Sequence, residues 1–149
     1  MSELPKRVLL KISGEALAGL QPSDDQKTGI DQRMLQKVAA DIKQVYDLGI
    51  QVCLVVGGGN IYRGVSGMES CGIDRSTGDY MGMLATVING MALKNILEKT
   101  GMDCRMMTAI PMPVISEPYT FRRALHHLNK ERVVLFSAGT GNPFFTTDT

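Results

Sequence analysis

Ile50-Gln51-Val52-Cys53-Leu54-Val55-Val56-Gly57-Gly58-Gly59-Asn60 is an apolar run of strand length that halts at consecutive glycines. It reads as a buried strand of a parallel sheet, ended by a tight backbone turn. Immediately before it, Gly49 supplies a left-handed stop for a helix. Asp31 caps that helix, and Met34, Leu35, Val38, Ile42, Val45 and Tyr46 recur on one face. Further back, Val8-Leu9-Leu10-Lys11-Ile12-Ser13 is a second mostly apolar run ended by Gly14, again read as a buried strand. A polar loop from Gly19 to Gly29 joins the two units.

Beyond Asn60 the pattern repeats. A loop of about twenty residues is longer than most connections in a compact domain, which makes it a functional candidate. Asp79 can cap the following helix, with Met83, Leu84, Val87, Ile88, Met91 and Ala92 inward and Gly101 past its end. Met102 to Thr108 reads as a strand, and Pro111 and Pro113 make Ala109 to Val114 a loop. Ser116 and Pro118 open a third helix with Phe121, Leu125 and Leu128 inward. Arg132 to Ser137 is a final strand, followed by Ala138-Gly139-Thr140-Gly141-Asn142-Pro143. Alternating strands and helices at this spacing predict an α/β fold: a three-layer α/β/α sandwich with a mainly parallel sheet and right-handed crossovers.

The composition excludes several classes. Lys+Arg number 16 against 15 Asp+Glu, a net charge of +1 over 149 residues, so no basic field for nucleic acid is expected. Apolar residues at 44% and charged residues at 21% suit a globular domain. No run approaches the ~20 apolar residues of a membrane span, and the N-terminus lacks a signal-peptide pattern. Cys53, Cys71 and Cys104 form no CxxC pair, so neither a disulfide framework nor a zinc site is expected and the compartment is read as cytoplasmic. The 10 methionines, Met81, Met83 and Met91 among them, read as core filler.

Gly14, Gly57 to Gly59, and Gly139 with Gly141 each follow a predicted strand. Ligands of open α/β sheets sit outside those strand ends, and glycine lets backbone N–H groups approach an anion closely. Three such loops on one edge point to phosphate binding, although each alone suits a plain strand-to-helix turn. The GxxxxGK[ST] phosphate loop is absent, and Tyr62 and Phe144 stand where a dinucleotide fingerprint needs its last glycine. Lys11 interrupts an apolar strand near this edge and can place a point charge on phosphate oxygens; its bland alternative is a snorkelling stem. Arg63 can fork onto a phosphate. Asp79 is read equally as a helix cap or a ligand contact, and Asp148 as an orienter of Lys11 or a metal, or as a cap. Thr140, Asn142, Thr146 and Thr147 crowd polar groups suited to ribose and base edges. His126 and His127, near a helix C-terminus, read as structural.

Four segments together resemble a known family. They are Lys11 to Leu17, Gly57 to Asn60 with Arg63-Gly64, Gly78 to Thr86, and Ala138 to Asp148. In collinear order they are similar to the bacterial UMP kinases of the amino-acid-kinase fold family, which are unlike the P-loop UMP/CMP kinases. The resemblance implies transfer of the ATP γ-phosphoryl group to UMP, with Mg²⁺, in pyrimidine nucleotide biosynthesis. It assigns Lys11, Ile12, Ser13, Gly14, Gly59 and Arg63 to ATP. It assigns Gly58, Asp79, Thr140, Gly141, Asn142, Pro143, Phe144, Phe145, Thr146 and Thr147 to UMP. Lys11, Arg63 and Asp148 carry the catalytic expectation, and no metal ligands are expected in the chain itself. Homohexamers, activation by GTP and inhibition by UTP are further implications, with the loop from Gly19 to Gly29 where the family places its GTP-responsive segment. The family's adenine contacts lie past Thr149. Residues 1–149 are therefore expected to be the N-terminal, UMP-binding part of a single domain, a poor kinase alone. The competing expectations are a nucleotide-binding fragment without turnover and a related amino-acid or carbamate kinase.

Overall fold

The computed structural model describes residues 3–19, 29–62 and 71–145. In chain order the elements are β1 (Arg7–Ile12), a 3₁₀ turn (Gly14–Leu17), α1 (Gln32–Asp47), β2 (Gln51–Val56) and α2 (Arg75–Lys99). They continue with β3 (Cys104–Thr108), β4 (Glu117–Pro118), α3 (Phe121–Asn129) and β5 (Val133–Ser137). The sheet order is β1-β2-β5-β3-β4, and every adjacent pair is parallel. The strands that precede the three glycine loops, β1, β2 and β5, are thus neighbours.

Local chemistry sets the helix boundaries. The Asp31 carboxylate accepts the N–H groups of Arg33 at 2.9 Å and Met34 at 3.1 Å, and Gly49 takes φ +76° just past α1. Gly101 at φ +91° does the same past α2.

Helices cover both faces of the sheet. On one face, Ile12, Val52, Leu54, Val56, Met106, Val133 and Leu135 pack with Ala39 and Ile42 of α1 and Val87, Leu93 and Leu97 of α2. On the other, Cys53, Met107 and Val134 pack with Ala124 and Leu128 of α3. Burial pushes the Cys104 thiol up to about 12, and the Cys53 thiol also upward, so both act as packing groups. Among the described residues no helix is long and apolar enough to cross a membrane.

Four expectations need correction. β1 is buried on one face only: Val8, Leu10 and Ile12 turn toward the core, while Leu9 remains 65% exposed, because among the described residues β1 is an edge strand and α3 does not reach its outer face. Asp79 does not cap α2. Asp74 does, accepting the N–H of Thr77 at 2.9 Å, and that bond holds its carboxyl below the usual range. The inward face of α2 is rotated from the expected one: Met83 and Val87 are buried, but Leu84, Ile88 and Met91 are exposed. Finally, Glu117 and Pro118 form an edge strand instead of opening a helix. Pro118 pairs with Thr108 at the sheet edge, where its missing N–H costs nothing, and α3 begins later, capped by the Thr120 hydroxyl. Phe121, its first residue, is consequently exposed, and Ala124, His127 and Leu128 point inward. His127 is structural, as expected: its Nε2 lies 2.8 Å from a Glu117 oxygen.

Candidate functional site

Neighbouring strands lie ~4.8 Å apart, so loops leaving β1, β2 and β5 on the same side crowd within about 10 Å of one another. The first two loops touch. A Cβ built on Gly14 would stand 2.4 Å from Asn60 Oδ1 and 2.9 Å from the Gly59 nitrogen. Only glycine permits that approach. Ser13 turns the chain here, its hydroxyl accepting the Glu15 N–H at 3.1 Å. Lys11, two residues earlier, is exposed on β1 opposite Val55 of β2.

The second loop is wedged against α2. A Cβ on Gly58 would meet Ala85 Cβ at 2.8 Å and the Gly82 carbonyl oxygen at 3.0 Å, so a side chain at position 58 would push the loop off the helix. Behind the loop lies a buried polar pair. Asn60 and Asn89 exchange amide hydrogen bonds of 3.1 and 2.6 Å, while Asn89 Nδ2 also donates to the Gly57 carbonyl at 2.7 Å. Asn60 Nδ2 donates to the Gly29 carbonyl at 2.7 Å, and Gly29 N–H returns a bond to the Asn60 carbonyl. These are buried polar groups with partners throughout, as low-dielectric burial requires.

The third loop starts at Ala138 and rests on the end of β3, where Ala109 lies 3.2 Å from a Cβ built on Gly141. Two of its non-glycine residues are left-handed, Ala138 at φ +69° and Phe144 at φ +68°. Each such residue costs about 1–2 kcal/mol, so the loop holds this shape only if its surroundings enforce it. Side chains of α2 do so. The Ala138 N–H donates to Thr86 Oγ1 at 2.7 Å, and the Phe144 N–H donates to Asp79 Oδ2 at 2.8 Å. The Arg75 guanidinium lies 4.9 Å over the Phe144 ring and 3.9 Å from the same carboxylate oxygen. At the tip, Phe144 and Phe145 remain exposed. Beside the loop, on the face of the sheet that carries Leu9, is a concavity of about 330 Å³ lined by Leu9, Met107, Ala109, Tyr119, Phe136, Ser137 and Gly139. A second cavity of about 260 Å³ lies at the opposite ends of the strands, around Tyr46, Gln51 and Arg132, away from the glycine loops.

The structure therefore gathers Ser13, Gly14, Gly58, Gly59, Asp79 and residues 138–145 around one rim. Arg63, Thr146, Thr147, Asp148 and residues 20–28 lie outside the described residues. Thr86, Asn89 and Arg75 join this rim with no individual role expected of them from the sequence. The available signal was an Asn89-Gly90 pair in the middle of a helix, where propensity opposes both residues. Gly90 is required there because a Cβ would stand 2.5 Å from Ser137 Oγ.

Residues 6–149 match the amino acid kinase family. The chain belongs to that family. Within it, the chain is 55% identical over 143 residues to the uridylate kinase of Wolbachia sp. subsp. Brugia malayi (strain TRS), covering 96% of this chain and 56% of that protein. The crystal structure of UMP kinase from Bacillus anthracis superimposes with a TM-score of 0.86 at 44% identity, over 96% of this chain and 57% of that one. UMP kinase from Ureaplasma parvum gives a TM-score of 0.86 at 36% identity, over 96% of this chain and 58% of that one. This amino acid kinase chain thus spans just over half the length of the relatives it matches, and its parallel α/β sheet is theirs.

Proposed function

We propose that this chain is the UMP-binding part of a nucleoside-monophosphate kinase that moves the ATP γ-phosphoryl group to UMP, giving UDP and ADP. One observation carries the reading: the glycine loops of three adjacent strands converge on a rim where α2 pins a strained loop at both ends. In this reading Gly58 and Asp79 hold UMP together with the run Thr140 to Thr147, the exposed Phe144 and Phe145 rings offering faces to the pyrimidine. Asp79 keeps acceptor capacity for a ribose hydroxyl beside its bond to Phe144, since a carboxylate has about four lone-pair sites. Lys11 to Gly14, Gly59 and Arg63 are assigned to the γ-phosphate side of ATP. Phosphoryl transfer asks a protein mainly for alignment and charge neutralisation, which backbone amides and the Lys11 ammonium supply. An oxygen of the UMP phosphate displaces ADP at the γ-phosphorus, with no covalent enzyme intermediate.

Mg²⁺ would travel on the ATP phosphates, the usual mode for an ion bound through few carboxylates. The adenine contacts are assigned to the part of the relatives' length that this chain does not span. Assembly with further copies is supported by Tyr80, Leu84, Ile88 and Met91, exposed apolar side chains in a row along α2. Pyrimidine nucleotide supply in the cytoplasm, GTP activation and UTP inhibition belong to the same reading.

Calorimetric titration with UMP, CMP and acetylglutamate tests it. UMP is expected to bind more tightly than either competitor. A preference for CMP or acetylglutamate would replace the reading with another acceptor class.

A further inference from the structure

Asp79, Thr86, Asn89 and Gly90 put polar or small groups on the side of α2 that meets the loops, and two of them are buried side chains that a nucleotide at the rim would not touch. Thr86 is 1% exposed and Asn89 is fully buried. Thr86 accepts the N–H of Ala138, the first residue of the third loop, and its carbonyl accepts the Ser137 hydroxyl at 3.4 Å. Asn89 holds the Gly57 carbonyl and the Asn60 amide of the second loop. The two side chains sit three residues apart on a rigid helix, about 4.5 Å along its axis. Each controls a different loop.

We propose that Thr86 and Asn89 are positioning residues that fix the distance between the phosphate-holding loop Gly57–Asn60 and the nucleoside-holding loop Ala138–Phe145, so that one ligand engages both. The inference rests on the UMP-binding reading above and assigns the spacing of that site to α2. Three features support it. Ala138 is a non-glycine residue in left-handed backbone, a conformation that needs an external hold, and the Thr86 hydroxyl supplies one at its N–H. Gly58 has no room for a Cβ against Ala85, so the second loop is seated directly on the helix. Asn89 bonds with both ends of the Gly57–Asn60 turn, through the Gly57 carbonyl and the Asn60 side chain.

The test compares Thr86→Val, which keeps the shape and removes the hydroxyl, with Thr86→Ser, which restores it. Each is titrated with UMP and with uridine. A correctly spaced pair of loops rewards the ligand that fills both, so the unsubstituted chain favours UMP. Thr86→Val is expected to weaken UMP roughly 10- to 100-fold, the range for losing a buried hydrogen bond, and uridine much less. Thr86→Ser should return the UMP-to-uridine ratio to its original value. A purely structural role lowers the folded fraction and weakens both ligands equally, so an unchanged ratio in Thr86→Val overturns the proposal. Amide hydrogen exchange gives a second readout that needs no ligand. Faster exchange at Ala138 in Thr86→Val, with the α1 amides unaffected, is expected; unchanged protection at Ala138 overturns the proposal. If the unsubstituted chain binds no UMP, the function proposed above fails, and the exchange experiment alone decides whether Thr86 holds the loop.

Discussion

Helices α1 and α2 pack apolar residues on the same face of the same sheet, yet they are built on different plans. α1 buries Ala39 and Ile42 and exposes polar side chains, the arrangement its sequence period announces. α2 buries Thr86 and Asn89 beside Met83, Val87, Leu93 and Leu97, and exposes Leu84, Ile88 and Met91. An exposed apolar row and a buried polar one would be a poor design for a helix whose only task is to cover a sheet. The difference teaches that α1 is a packing element, whereas α2 is also a scaffold: its inner face holds the loops after β2 and β5, and its outer face leaves an apolar row exposed.

Substitutions on the two helices can break that contrast. Ile42→Ala on α1 should cost roughly 2–5 kcal/mol of stability through lost burial and a residual cavity. Asn89→Leu on α2 should cost a similar ~2–5 kcal/mol, because the Gly57 carbonyl and the Asn60 amide lose partners inside the protein. Denaturant midpoints measure both. The helices part company in ligand binding: UMP affinity of the folded fraction should survive Ile42→Ala and fall in Asn89→Leu. Equal retention in both would erase the distinction.

The outer face gives a smaller effect of a different kind. Ile88→Lys should change the stability of the single chain by no more than about 0.5 kcal/mol, since the side chain is 48% exposed. Light scattering should nonetheless show a lower mass than the unsubstituted chain at the same concentration. A stability loss of several kcal/mol, with mass unchanged, would mean that this face packs within the chain.

A modest, pH-dependent effect is expected where β4 meets α3, which shares the covering role of α1. The hydrogen bond with His127 and the neighbouring Arg123 charge hold the Glu117 carboxyl below the ordinary glutamate range. A depressed acid contributes stability that is present above its unfolded value and is lost as pH falls through its folded value. Glu117→Gln should therefore be less stable than the unsubstituted chain at neutral pH, by under ~1 kcal/mol given partial exposure, and the gap should close in acid. Thermal melts between neutral and acidic pH measure it. A gap that widens in acid would reverse the sign and remove the ion pair from the account.

The order of strands and helices was legible because apolar runs and glycine stops are local signals. The loops at the strand ends were legible for the same reason, as glycine marks close backbone approach. The face of α2 was not. Apolar spacing at Leu84, Ile88 and Met91 satisfies the amphipathic rule while pointing outward, and that rule does not foresee polar side chains kept inside to satisfy loop backbone groups. Asp79 misled for a related reason. It is an acid near a helix start, but Asp74 takes the capping bonds and leaves the Asp79 carboxylate to hold Phe144. The two-residue strand β4 carries too few residues for any periodicity, and its pairing depends on β3.

Amide hydrogen exchange with and without UMP tests the shared rim most directly. Saturating UMP should slow exchange together at Gly57 to Asn60 and at Gly139 to Phe145, and leave the amides around Tyr46, Gln51 and Arg132 at the opposite strand ends unchanged. Protection confined to one loop, or appearing at the opposite ends, would contradict the claim that the glycine loops and α2 form a single nucleotide site.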